Sequence, residues 1–146
     1  MTDIKYEIIP LTEENIKLLE EIRYNAYQMN TNDFPQKNTL HTKNLKNGKY
    51  LVFGCYLNNQ IIGACYTSNS YNSLYIEQLF ILKEYQKSPH HLGTNLLKYV
   101  LNNKKVIEDY FNSKFYFSRL ENHTESPNLY QALGYQEHAF QMKKRI

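Results

Sequence analysis

Nine residues, LYIEQLFIL at positions 74–82, constrain this chain more than any others. Leu, Ile, Tyr and Phe dominate the run, which is too short for a typical buried helix and reads as a strand. A polar loop with Pro89 follows at 83–91. A helical stripe comes next, with Leu96, Leu97, Val100, Leu101, Ile107 and Phe111 on one side of a helix spanning 92–111. A strand running through a loop into an amphipathic helix belongs to a layered fold that mixes helices with a sheet.

The rest of the chain fits that frame. Residues 3–9 alternate as a first strand, which Pro10 ends. Thr12 suits a helix N-cap, Leu11 and Ile16 have the spacing of a hydrophobic staple, and Glu13 and Glu14 favour the first turn. Ile16, Leu19, Ile22 and Ala26 form the stripe of that helix. Residues 29–48 are polar and irregular, with one short helix near 39–45. Strands at 49–57 and 60–67 flank Asn58-Asn59, a hairpin turn, and 68–73 form another turn. A strand at 115–120, a helix at 126–133 with Gly134 as its C′ residue, and a last strand at 135–146 complete the order. The pattern is β-α-(α)-β-β-β-α-β-α-β, an α/β (α+β) fold with a mixed sheet.

The 146 residues make one domain, 1–146, without repeats. A hydrophobic content of 42% and only nine Gly and Pro exclude collagen-like, low-complexity and disordered classes. The net charge of +3 suits a small anionic ligand and is too weak to imply nucleic acid. No leader-like or membrane-length apolar run occurs, so a soluble cytoplasmic protein is expected. With Asn58-Asn59 as the loop, Cys55 faces Ile62 and Cys65 faces Val52. The two thiols then lie on opposite faces of the hairpin and stay free.

Chemistry is best placed after the 74–82 strand. Gly93 and Thr94 open a helix, whose first turn offers free N–H groups and a partial positive charge to a phosphate. Lys87 and His90 lie near it. The adjacent His90 and His91 do not share a helix face, and no further ligand has metal spacing, so no metal is expected. Glu77 is a lone carboxylate in an apolar run, on the strand face of Tyr75, Leu79 and Ile81 by simple alternation.

LYIEQLFILKEYQ, SPHHLGTNLL and NLYQALGY together resemble the GNAT superfamily of acetyl-CoA-dependent N-acetyltransferases. The resemblance runs from about residue 4 to the end. It implies a mostly antiparallel twisted sheet, splayed in a V between its central strands and flanked by about four helices. Leu79-Phe80-Ile81 matches the family's strand end, and 88–93 lies over its pyrophosphate loop. Ser88 and His91 replace the usual Gln or Arg and the first Gly; a second register begins the motif at Gln86. Histidine tolerates the positive φ that this glycine adopts. The resemblance implies that the backbone of Phe80, Ile81 and Leu82 pairs with the pantetheine arm. Lys87, Ser88, Pro89, His90, His91, Leu92, Gly93 and Thr94 would surround the pyrophosphate. Phe80 or Ile81 would supply the oxyanion N–H.

In the same family pattern, the Tyr of the Leu-Tyr segment sits beside the cofactor sulfur. Tyr130 is therefore the expected general acid on the departing CoA thiolate, and Glu77 the base, acting through a water. Tyr24, Tyr27, Asp33, Phe34 and Glu77 are positioned to meet the acceptor, a primary amine of a small molecule or peptide. A monomer or homodimer without nucleic-acid or membrane partners is expected. Two other readings stand beside this one. The first is a non-catalytic acyl-CoA-binding module with a degenerate loop. The second is an RNA-binding strand at 114–117 with the basic tail Lys143, Lys144 and Arg145.

Overall fold

A computed structural model describes residues 3–27, 39–121, 127–138 and 141–146. The elements are β1 (Ile4–Ile8), α1 (Glu13–Ala26), α2 (Thr39–Lys46), β2 (Leu51–Leu57), β3 (Gln60–Ser70), β4 (Ser73–Ile81), α3 (Leu92–Asn102), α4 (Lys104–Phe111), β5 (Phe117–Glu121), α5 (Pro127–Ala132), β6 (Gln136–His138) and β7 (Gln141–Arg145). They form one seven-stranded sheet in the order β1-β2-β3-β4-β5-β7-β6, antiparallel except where β4 runs beside β5.

Local chemistry accounts for most of these elements. Thr12 caps α1 by accepting the Asn15 N–H through its hydroxyl at 3.1 Å, and Ile16, Leu19, Ile22 and Ala26 are buried as the stripe requires. Asn58-Asn59 and Tyr71-Asn72 form two-residue hairpin turns, all four residues at positive φ. The second turn is shorter than expected because β3 continues to Ser70. Two apolar clusters cover the two faces of the sheet. One joins Phe53, Leu74 and Ile76 to Leu96, Leu97, Val100 and Ile107 of α3 and α4. The other joins Val52, Tyr66 and Phe80 to Leu19 and Ile22 of α1 and Leu45 of α2. Among the described residues, no helix is long and apolar enough to cross a membrane.

Three expectations are corrected. The helix of 92–111 breaks at Asn103, whose side-chain amide donates to the Tyr99 carbonyl at 2.7 Å, so that α3 and α4 stand in its place. An Asn side chain that competes for backbone carbonyls favours a helix end. The last strand is a hairpin, β6 paired with β7. Ala139 and Phe140 between them carry none of the usual reversal residues, so the pattern runs on without a break. Lastly, Cys55 and Cys65 share one face. Cys55 lies opposite Gly63 and Phe53 opposite Cys65, because a bulge after Cys55 adds Ile62 to β3 and inverts the alternation. Both thiols are free and buried in the α3-side cluster, and burial pushes the Cys55 thiol up to about 12.

A second bulge shapes the functional end of the sheet. Thr67 pairs with Ile76 but Tyr66 pairs with Gln78, so Glu77 is the extra residue. β5 pairs with β4 only from Leu74 to Ile76. Beyond the bulge, β4 follows β3 to Ile81 while, among the described residues, its other edge has no strand beside it. This is the splay. At its end β3 and β4 approach closely: a Cβ on Gly63 would lie 2.5 Å from the Phe80 carbonyl oxygen.

Candidate active site

The open edge of β4 presents the backbone of Leu79 and Ile81. Leu82 donates its N–H to the Ile62 carbonyl at 2.8 Å, so by alternation the backbone groups of Phe80 and Leu82 are turned to β3. Of the three residues the sequence singled out here, Ile81 faces the open edge, and Leu79 joins it. Two side chains tie this edge to the C-terminus of α1. The Tyr27 hydroxyl donates to the Leu79 carbonyl at 3.1 Å. The Gln86 side-chain nitrogen donates to the Ile81 carbonyl at 2.8 Å and to the Ala26 carbonyl at 2.7 Å. Gln86, not Ser88, is thus the loop residue whose side chain reaches the strand end. The second motif register, which begins at Gln86, was the clue to it.

The loop from β4 to α3 is held by its own hydrogen bonds. Ser88 N–H donates to Tyr85, His91 N–H to Ser88, and His90 N–H to the Ser88 hydroxyl at 3.2 Å. The Asn95 side chain donates to the His90 carbonyl at 2.9 Å. Ser88, Pro89 and His90 therefore shape the loop. Among the described residues, the N–H groups of Leu92, Gly93 and Thr94 have no acceptor, as in the first turn of any α-helix. Lys87 and His90 are exposed beside them. These three donors and two basic side chains fit a pyrophosphate.

His91 immediately precedes α3 at φ 50° and ψ 52°, the left-handed region. An L side chain there costs about 1–2 kcal/mol, and glycine costs nothing sterically but loses more chain entropy on folding. His91→Gly is therefore expected to raise unfolding stability by about 1 kcal/mol. His91→Val is expected to lower it. Urea midpoints of the two variants measure the difference, and equal midpoints would mean that the loop relaxes around residue 91.

Gly93 marks the point where three elements meet. A Cβ on it would lie 3.5 Å from the Leu129 side chain of α5 and 3.9 Å from that of Ile81. Tyr130, next to Leu129, is only 6% exposed and packs edge-on against Tyr135, with ring centroids 5.9 Å apart. Tyr135 is in turn anchored by a 2.6 Å hydrogen bond between its hydroxyl and that of Ser118. Gly134, at φ 94°, makes the reversal that leads the chain from α5 to Tyr135.

Glu77 departs from its expected placement. The bulge puts it on the face of Tyr75 and Ser68, opposite that of Leu79. The Ser68 hydroxyl donates to its carboxylate at 2.5 Å. Burial raises the Glu77 carboxyl above the usual range; the Ser68 bond opposes this and Glu121 adds to it. Glu77 and Ser68 line a cleft of about 390 Å³ together with Asn44, Lys49, Tyr50 and Asn69. Tyr50 hydrogen-bonds His41 at 2.7 Å. Burial, with Arg23 nearby, lowers the His41 ring to about 4. Ser68 carried no functional cue in the sequence, because only the bulged pairing brings it to Glu77.

Tyr24 and Tyr27 lie at the end of α1, and Tyr27 reaches the splay as described. Asp33 and Phe34 lie outside the described residues. Among the described residues no three His, Cys, Asp or Glu side chains gather as a metal site.

Residues 48–137 match the model of an acetyltransferase (GNAT) domain. No match was found among curated proteins. Solved structures share the fold over nearly the whole chain. The PaiA N-acetyltransferase of Thermoplasma acidophilum, in complex with coenzyme A, is 15% identical with a TM-score of 0.72, covering 99% of each chain. The ribosomal-protein-S18-alanine N-acetyltransferase of Escherichia coli is 16% identical with a TM-score of 0.72, over 100% of this chain and 94% of that one. A GNAT family acetyltransferase of Brucella melitensis, in complex with acetyl-CoA, is 12% identical with a TM-score of 0.69, over 100% and 88%. At these identities the likeness is one of fold.

Proposed function

The chain belongs to the GNAT acetyltransferase family, and on that premise we propose that it moves an acetyl group from acetyl-CoA to a primary amine of a small molecule or peptide, by direct attack in a ternary complex. The observation that carries this reading is the meeting of the open end of β4, the first turn of α3 and the Tyr130 helix around Gly93, with Glu77 at the bulge where the splay begins.

Acetyl-CoA supplies an activated thioester. The N–H groups of Leu92, Gly93 and Thr94 bind the pyrophosphate, with Lys87 and His90 at its margin. The open edge at Leu79 and Ile81 receives the pantetheine arm as an added strand would be received. Glu77, raised above the ordinary carboxylate range by burial, accepts the proton of the acceptor ammonium through a water. Base catalysis of this kind is worth about 10²–10⁴ in rate. The Ile81 N–H faces the open edge and stabilises the developing oxyanion, a contribution of about 10²–10³. Tyr130 donates its phenolic proton, or a hydrogen bond, to the leaving sulfur.

The test has two stages. Acetyl-CoA is expected to raise the melting temperature with concentration, by the equivalent of about 2.7 kcal/mol at one hundred times Kd. Free thiol is then measured over a panel of amines. Binding without turnover on any amine would replace the enzyme by a non-catalytic acyl-CoA module. No shift at any concentration would remove the cofactor altogether.

A further inference from the structure

The acceptor surface continues across the sheet from Glu77, and it carries a cation that has no ion-pair partner among the described residues. On β5, Ser118 and Leu120 are buried toward the α3 side. Arg119 and Glu121 therefore project from the opposite face, the face of Tyr75 and Glu77. Met142 of β7 is likewise buried toward α3, so Gln141, Lys143 and Arg145 share the Arg119 face. In this register Arg119 lies directly opposite Lys143, a like-charge pair that is unfavourable unless something negative sits over it. Lys143 is placed over the Phe117 ring, 4.0 Å from its centroid. Among the described residues, the Arg119 guanidinium has one long contact, 3.5 Å from Nη1 to Gln141 Oε1, and its Nε is buried without a partner. Among the described residues no carboxylate lies within 4.0 Å of it.

Arg119 also stands in a fixed relation to the proposed base. It pairs in register with Tyr75 of β4, two residues before Glu77 on the same face. Gln141, the residue that Arg119 contacts, also lies near the Tyr75 hydroxyl. A carboxylate that accepts an ammonium and a guanidinium with open donors thus lie on neighbouring strands of one face. A guanidinium recognises a carboxylate through two parallel N–H bonds. Lys49 also lines the Glu77 cleft, but it is exposed.

We propose that the acceptor is a free amino acid, its amine at Glu77 and its carboxylate on Arg119. This rests on the acetyltransferase reading and adds the substrate class to it. The experiment is the thiol-release assay with amino acids, each beside its carboxamide and its decarboxylated amine. It is run on the wild type and on Arg119→Gln, Arg119→Lys and Lys49→Gln. The wild type should favour the acid over the amide by about 10–100-fold, chiefly through KM. Arg119→Gln should lose that preference while kcat and the acetyl-CoA melting shift stay as in the wild type. Arg119→Lys should recover part of it, and Lys49→Gln should keep it. Equal use of acid and amide by the wild type, faster reaction of peptide N-termini, or a preference lost only in Lys49→Gln would each overturn the assignment and leave the acetyltransferase standing. Bound acetyl-CoA with no amine acetylated would remove both.

Discussion

Tyr130→Phe is expected to lower kcat by about 10²–10⁴ while the acetyl-CoA melting shift and the acceptor KM stay near the wild type. The ring remains, and so does its edge-on packing against Tyr135 in the α3-side cluster. What leaves is one O–H, on the residue next to Leu129, whose side chain meets Gly93. A free cysteine thiol has a pKa of about 8.5, and the CoA sulfur, also a thiol, likewise departs as an anion unless a donor meets it. An acyl donor whose thiol is less acidic should be hit hardest, and a donor with a more acidic thiol as leaving group should restore much of the rate. Unchanged turnover in this variant would remove Tyr130 from the chemistry and return it to packing.

Glu77→Gln is expected to separate activity from stability. The amide keeps the shape and can still accept from Ser68, but it cannot take a proton. The loss in kcat should again be about 10²–10⁴ at neutral pH. It should shrink at alkaline pH, where the amine arrives already neutral. Stability should move the other way. The Glu77 carboxyl sits above its ordinary range, first through burial. The folded state therefore holds that proton more tightly than the unfolded chain does, and between the two values stability falls as pH rises. Above that window the ionised side chain is a standing penalty, which the amide removes. At neutral pH Glu77→Gln should melt at or above the wild-type temperature, and the two curves should converge below about pH 4. A variant that melts well below the wild type at neutral pH would show instead that the charge is structural. The wild-type rate should rise with pH through a value higher than that of a free glutamate.

Both predictions depend on residues whose types were legible before the structure and whose surroundings were not. Tyr130 stood out because the segment from Leu129 to Tyr135 matched a family pattern; its burial against Tyr135 came from the hydrogen bond between Tyr135 and Ser118, two residues 17 apart. Glu77 stood out as a charge in an apolar strand, yet simple alternation put it on the wrong face. Gln86 was one of two possible motif starts, and only its bonds to Ala26 and Ile81 show what it does. Asn103 ends a helix that the apolar stripe alone carries through.

Short-range chemistry was readable from the letters: the Thr12 cap, the Asn58-Asn59 turn, the Gly134 reversal and the period of each stripe depend on neighbours within a turn or two. The extra residues Ile62 and Glu77, the end of β5 pairing at Ile76, and the arrival of Arg119 beside Tyr75 were set by folding in three dimensions. Each depends on a register between segments far apart in the chain, and a single inserted residue reverses every side chain beyond it.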